Sequence, residues 1–225
     1  MKRKQQPPEA EQGFALMEVL VAILNIIMFT STGMVGLTLA AAFKSKARAA
    51  SAATAWIQAD LEAVKNQAAQ LSYALAADAS AGQSTLVLTS TNGLVNNEQI
   101  AVGTDSIIYT IQSINGNAIT LTSNLTMSQA ASAKVINVSK CNATTATAGF
   151  AYDLQQTLPT LSSGGTLTIA GKPYTLSRNL TINNAAPYDV LQLAYTVAPQ
   201  SGGATVATMY SEVIPNAVYQ CPKSQ

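Results

Sequence analysis

The chain has 225 residues, a net charge of +1 and 10% charged side chains, against about a quarter in an ordinary soluble domain. That length allows one or two domains with a real core, and the near-neutral charge supplies no field that argues for nucleic acid. Histidine is absent, which excludes a Ser-His-Asp triad, a Cys-His dyad and every histidine metal site.

The few charges are unevenly placed. Lys2, Arg3 and Lys4 open the chain, and Lys44, Lys46 and Arg48 follow a long apolar run. Between Phe14 and Phe43 the only ionisable side chain is Glu18. As a helix this run would be about 45 Å long, enough to cross a bilayer. Three readings compete. One is a plain transmembrane anchor. Another is a secretory signal peptide cut near Ala40-Ala41-Ala42, although the apolar region of such peptides is usually only about 7–15 residues long. The third must explain Gly13, Phe14 and Glu18 together. A carboxylate at a membrane helix centre costs roughly 2.5–3.5 kcal/mol on insertion scales, so it needs a partner or a position at the interface.

The stretch GFALME, Gly13 to Glu18, with its continuation VLVAIL, resembles the cleavage and methylation motif of type IV prepilins. The resemblance implies a cytoplasmic leader over residues 1–13, MKRKQQPPEAEQG, in which Glu9 and Glu11 dilute the basic charge. It implies cleavage between Gly13 and Phe14 by prepilin peptidase, N-methylation of Phe14, and Glu18 as the fifth residue of the mature chain. Cleavage leaves an α-amino group on Phe14, and a carboxylate in apolar surroundings needs such a cation. In pilins the glutamate meets the N-terminus of a neighbouring subunit, so Glu18 is the assembly residue. The alternative is that Glu18 snorkels to the headgroups. Three basic residues lie on each side of the run, so the positive-inside rule does not orient it.

Helical patterning continues beyond the run. Ile57, Leu61, Val64, Ala68, Leu71 and Leu75 step by threes and fours, and alanine abounds between Ala47 and Ala79. One helix is therefore expected over residues 14–80, ending near Asp78, with residues 14–43 in the membrane. Gly33 and Gly36 fall mid-span, where many major pilins carry a proline. They are either a soft point at which the helix melts in a filament or a close helix–helix contact. Thr30, Ser31, Thr32 and Thr38 are tolerable because hydroxyls can bond the preceding turn. Asn25 departs from the apolar pattern.

Residues 81–140 read as an inserted β-rich module. STLVLTS, EQIAVG, SIIYTIQS, NAITLTS and KVINVS are strand-like, and Ile114-Asn115-Gly116-Asn117 signals a tight hairpin. This stretch resembles small β modules of phage and bacterial surface proteins. Residues 141–225 read as an antiparallel meander of TLTIA, KPYTLSRNLTI, DVLQLAYTV and ATVATMYSEVI, with Leu191, Leu193, Tyr195 and Val197 on one face. The fold class is thus α+β, a long N-terminal helix packed against an antiparallel β-sheet head with an extra β module, as in pilins.

Cys141 and Cys221 sit in no CxxC pair. A single disulfide is the plain reading, two buried thiols the other; a disulfide implies an oxidising compartment and places the C-terminal part outside the cytoplasm. Disulfide-bounded C-terminal regions recur in pilins. Asp105, Asn92, Asn96, Asn97 and Glu98 are oxygen-rich, but they lack EF-hand spacing and read better as turn residues than as a calcium site. Asn124, Asn137, Asn142 and Asn179 each open an Asn-X-Ser/Thr triplet. Tyr73, Tyr109, Tyr174, Tyr188, Tyr195, Tyr210 and Trp56 suit core or subunit contacts. Lys172 and Arg178 form at most a small basic patch.

The function expected is a structural subunit rather than an enzyme, and the bulky head suits a minor pilin; no cofactor or metal is called for. Its implied partners are other pilin subunits, prepilin peptidase, the inner-membrane assembly platform and, before assembly, lipid. The implied route is a single-pass inner-membrane precursor with its head outside the cytoplasm, then an extracellular pilus serving adhesion, motility or DNA uptake, without direct nucleic acid binding. The alternatives are a pseudopilin of a type II-like secretion system and a membrane-anchored binding domain that never polymerises.

Overall fold

The computed structural model describes residues 10–161 and 165–222. The chain forms two compact units, residues 1–50 and 51–225. Helix α1 runs from Ala10 to Gln70.

In the first unit the apolar side chains are exposed, from Leu16 at 71% to Phe43 at 68%. The mean hydropathy of the helix reaches 2.0 over a membrane-length window, so by length and composition it can cross a bilayer. Hydroxyls in this stretch are satisfied within the helix. Thr30 donates to the Ile26 carbonyl at 2.8 Å, Ser31 to Met28 at 3.0 Å and Thr38 to Val35 at 2.9 Å, while Thr32 also donates to Met28. Such back-bonding spares a polar atom an unpaired exposure to lipid.

In the second unit the last turns of α1 present Ala53, Ile57, Leu61, Val64 and Ala68 as a buried seam. The seam serves a four-stranded antiparallel sheet in the order β6-β7-β8-β9, comprising Thr166–Ile169, Lys172–Ile182, Leu191–Pro199 and Ala207–Val213. The expected meander is present. Leu191, Leu193, Tyr195 and Val197 share the inner face of β8 and are at most 1% exposed. At its turn Ala170 (φ 50°) and Gly171 (φ 77°) separate the paired Ile169 and Lys172. Two central residues with positive φ make a type I′ hairpin, whose twist matches that of the strands.

The helix is shorter than its apolar spacing predicts. It ends at Gln70, not near Asp78, and the following segment is extended. Leu71, Tyr73 and Leu75 are buried while Ser72 and Ala74 are less so, the period of a strand rather than a helix. The reason is pairing. Strands β1 (Thr85–Val87), β2 (Gln99–Val102), β3 (Ile108–Asn115), β4 (Ala118–Leu121) and β5 (Val135–Asn137) form a sheet in the order β1-β4-β3-β2-β5. The segment after α1 bonds to both edges of it. Leu75 N–H donates to Ala133 and Val135 N–H to Tyr73 on one side; Ala76 N–H donates to Val87 and Thr89 N–H to Ala74 on the other. The sheet therefore closes as a small barrel and leaves neither edge exposed for foreign strands. A helical Leu71–Asp78 would leave both edges unpaired. The module starts at the end of α1 rather than at residue 81, so the expected boundary moves.

The barrel interior holds Leu75, Leu86, Leu88, Ile100, Val102, Tyr109, Ile111, Ile119, Leu121 and Val135. The expected hairpin joins β3 to β4 through Gly116 (φ 57°) and Asn117. KVINVS is a strand only to Asn137, whose side chain accepts from Lys140 N–H and caps a helical turn, α2 (Val138–Cys141). A second short helix, α3 (Phe150–Thr157), is absent from the sequence-based expectation; it buries Phe150, Ala151 and Leu154. Cys141 and Cys221 form a disulfide that closes a separation of 80 residues. In the chain-entropy picture such a loop contributes about 4 kcal/mol.

Ala170 occupies a left-handed conformation that costs an L-residue about 1–2 kcal/mol. Ala170→Gly is expected to raise stability by about 0.5–1 kcal/mol after the entropy of glycine is counted. Chemical denaturation of the detergent-solubilised chain measures this, and a loss of stability would contradict the turn assignment.

Candidate functional site

The N-terminal motif lies on α1. Gly13 and Phe14 are helical in backbone, and Glu18 lies one turn beyond Phe14 with its side chain exposed. The helix is unbroken at Gly33 and Gly36, and a Cβ placed at either would meet nothing within 4 Å. Both glycines therefore leave room for a neighbouring helix to approach closely, and neither interrupts the hydrogen-bond ladder here.

Among the described residues of the head, two buried ionic centres occur. The first joins α1 to the meander. Arg178 Nη1 lies 2.9 Å from Asp60 Oδ2, and its Nη2 donates to the Pro159 carbonyl at 2.6 Å. Tyr195 donates to the same Asp60 oxygen at 2.8 Å. Burial, and then the Asp60 charge, push the Tyr195 hydroxyl above its ordinary range, so it stays a donor. Arg178 is thus consumed by structure, and the Lys172–Arg178 patch does not form a free basic surface.

The second centre lies between the barrel and α3. Lys140 Nζ is 2.9 Å from Glu98 Oε1 and 2.8 Å from Asp153 Oδ2, and its side chain is 5% exposed. Glu98 Oε2 accepts from Val95 N–H at 2.9 Å and from Asn137 Nδ2 at 2.8 Å, which fixes the carboxylate. Tyr73 donates to the Asn92 carbonyl at 2.8 Å beside them. Two carboxylates share one ammonium, so the cluster carries one negative charge too many. Asp153 shows it: its carboxyl is raised to about 6, burial lifting it most, Lys140 pulling it down and Glu98 adding to the rise. For Lys140, burial disfavours the ammonium, but Asp153 and Glu98 outweigh it and the net direction is up. Burial and the same two acids push the Tyr73 hydroxyl up. Gly93 (φ 79°) closes over the site; a Cβ there would stand 2.8 Å from Asp153 Oδ2.

The oxygen-rich loop residues do not converge. Glu98 turns inward to Lys140, and Asn97 sits in a turn at φ 68°. Asp105 instead accepts from the Tyr109 hydroxyl at 2.6 Å, from Thr126 at 2.8 Å, and from the Ile107 and Met127 amides. Those bonds, the Tyr109 hydroxyl first, lower its carboxyl from 3.8 to about 2. Of the aromatic residues, Tyr73, Tyr109, Tyr174 and Tyr195 are core, whereas Tyr210 is 61% exposed. Among the triplet asparagines, Asn137 is buried as a cap, while Asn124, Asn142 and Asn179 are exposed.

No family model, curated protein or solved structure matches the chain.

Arg178→Met strands the Asp60 carboxylate in a mostly buried site and is expected to cost about 3 kcal/mol. Adding Asp60→Asn recovers part of that loss; simple addition of two losses in a double-mutant cycle would contradict the pairing. Asp105 supplies a pH test. Its folded carboxyl releases its proton more readily than the unfolded one, so its stabilisation is complete above pH 3.8 and is lost as pH falls toward about 2. Asp105→Asn should flatten stability against pH in that window, as read by denaturant midpoints; an unchanged slope would sink the assignment.

Proposed function

We propose that the chain is a type IV prepilin-like subunit that enters the membrane through the first part of α1, loses residues 1–13 at the Gly13–Phe14 bond, and joins a filament through the helix. The observation carrying this reading is a single carboxylate, Glu18, at the head of an exposed apolar helix and five residues into the chain that cleavage would leave. An exposed apolar surface of this length needs lipid or other helices to cover it. A buried glutamate then recruits a cation, and the new α-amino group of Phe14 on a neighbouring copy is suited to the task. The pairing sets how far each subunit slides along the next. The disulfide supports an oxidising compartment for the head, in keeping with a subunit exported from the cytoplasm. The head, with its extra barrel, is the surface-contact part, and its bulk favours a minor subunit.

The test is a filament assay in the native cells. Glu18→Leu is expected to leave the membrane-bound chain intact while removing it from sheared filaments by at least about tenfold, the effect of roughly 1.4 kcal/mol. Normal amounts of Glu18→Leu protein in filaments would overturn the proposed role. Deleting the gene separates pilus from secretion machine: lost adhesion or motility supports a pilin, and lost protein secretion with normal pili supports a pseudopilin.

A further inference from the structure

The Lys140 centre is arranged for more than ionic attraction. We propose that Lys140 and Asp153 condense into an intramolecular isopeptide bond, with Glu98 carrying the proton. This reaction does not depend on the filament reading.

The geometry has three parts. The nucleophile and the carboxyl are held in contact, Lys140 Nζ lying 2.8 Å from Asp153 Oδ2. That contact is not aligned as a hydrogen bond, and Asp153 Oδ2 is buried without one. A proton carrier touches the same nitrogen: Glu98 Oε1 lies 2.9 Å away, while Oε2 is anchored by the Val95 amide and Asn137. The setting is dry, with Phe150 and Tyr73 each 1% exposed in the adjoining core and Gly93 closed over Asp153. Burial, and then the Glu98 charge, raise proton affinity at Asp153, whereas the two acids outweigh burial at Lys140 and hold its proton, so the neutral amine forms only as that proton passes to Asp153. Fixed proximity of this kind replaces a bimolecular encounter, which is worth an effective concentration of about 10⁵–10⁸ M in well-oriented reactions.

The step balances without any co-reactant. The Lys140 ammonium gives one proton to the Asp153 carboxylate. The free amine attacks Asp153 Cγ, and the Nζ–Cγ bond forms. Glu98 takes a second proton from the nitrogen and returns it to the departing hydroxyl. The Cγ–O bond breaks and water leaves, so ammonium plus carboxylate becomes amide plus water, with Glu98 regenerated. No oxidation occurs. The amide would fasten α2 to α3 beside the Cys141–Cys221 disulfide and, unlike it, would survive reducing agents.

Mass spectrometry of the full-length chain, purified in detergent, denatured, reduced and digested with trypsin, decides the matter. Trypsin does not cut Lys172–Pro173, and no other lysine or arginine lies between Lys140 and Arg178. An unlinked chain yields peptides 135–140 and 141–178. A linked chain yields one piece, 135–178, lighter by one water than the uncleaved peptide, with fragmentation placing the loss across Lys140 and Asp153. Glu98→Gln should keep the full mass while retaining the fold by circular dichroism. Separate peptides of full mass from the wild-type chain would overturn the bond. A linked product of normal yield in Glu98→Gln would overturn the role of Glu98.

Discussion

One lysine side chain holds two parts of the head together. Lys140 leaves water and sits between Glu98, on the approach to β2, and Asp153, in α3. Glu98 belongs to the barrel, whereas α3 lies against β7 and β8 of the meander. The charge therefore spans both sheets. Burying an ion is costly, by several kcal/mol, unless its partners are fixed in place. Here they are fixed: Asn137 caps α2, which carries Lys140, and the same side chain donates to Glu98. The disulfide starts at the next residue, Cys141, and holds the Asn216–Gln220 turn against the barrel core.

A second tie of the same type links α1 to the meander. Asp60 takes both the Arg178 guanidinium and the Tyr195 hydroxyl, and Tyr195 stands in the β8 row that meets the apolar seam. Apolar burial supplies most of the stabilisation, and the ionic contacts select one arrangement of the layers. Between the two ties runs the short extended segment from Leu71 to Ala79. It is at once the exit from the helix and the closing strand of the barrel, so helix and barrel share one stretch of chain.

What was legible in the sequence was local. The Leu191–Val197 alternation, the hairpin at Gly116 and the helix seam from Ile57 to Ala68 each carry their signal within a few residues, and the structure has all three. The GFALME stretch is likewise a linear pattern, and its reading as a processing motif is a proposal. The sequence places the end of α1 too late because Leu71 and Leu75 fit a helical step as well as an alternating one; only the barrel edges, brought from Val87 and Ala133, decide between them. The Lys140 centre was invisible because its three members are scattered, and Glu98 read as an ordinary loop acid. Its faint signal was a lysine beside a cysteine in an otherwise charge-poor stretch. Arg178 and Asp60, 118 residues apart, gave no signal at all.

The account of function turns on whether Glu18 has a new N-terminus to meet. The mass of the N-terminal peptide of the mature protein from its native cells tests that directly. The account predicts a chain starting at Phe14 with one methyl group on its α-nitrogen. An intact Met1, or a start near Phe43, would contradict it and leave the chain a plain anchored or secreted β protein.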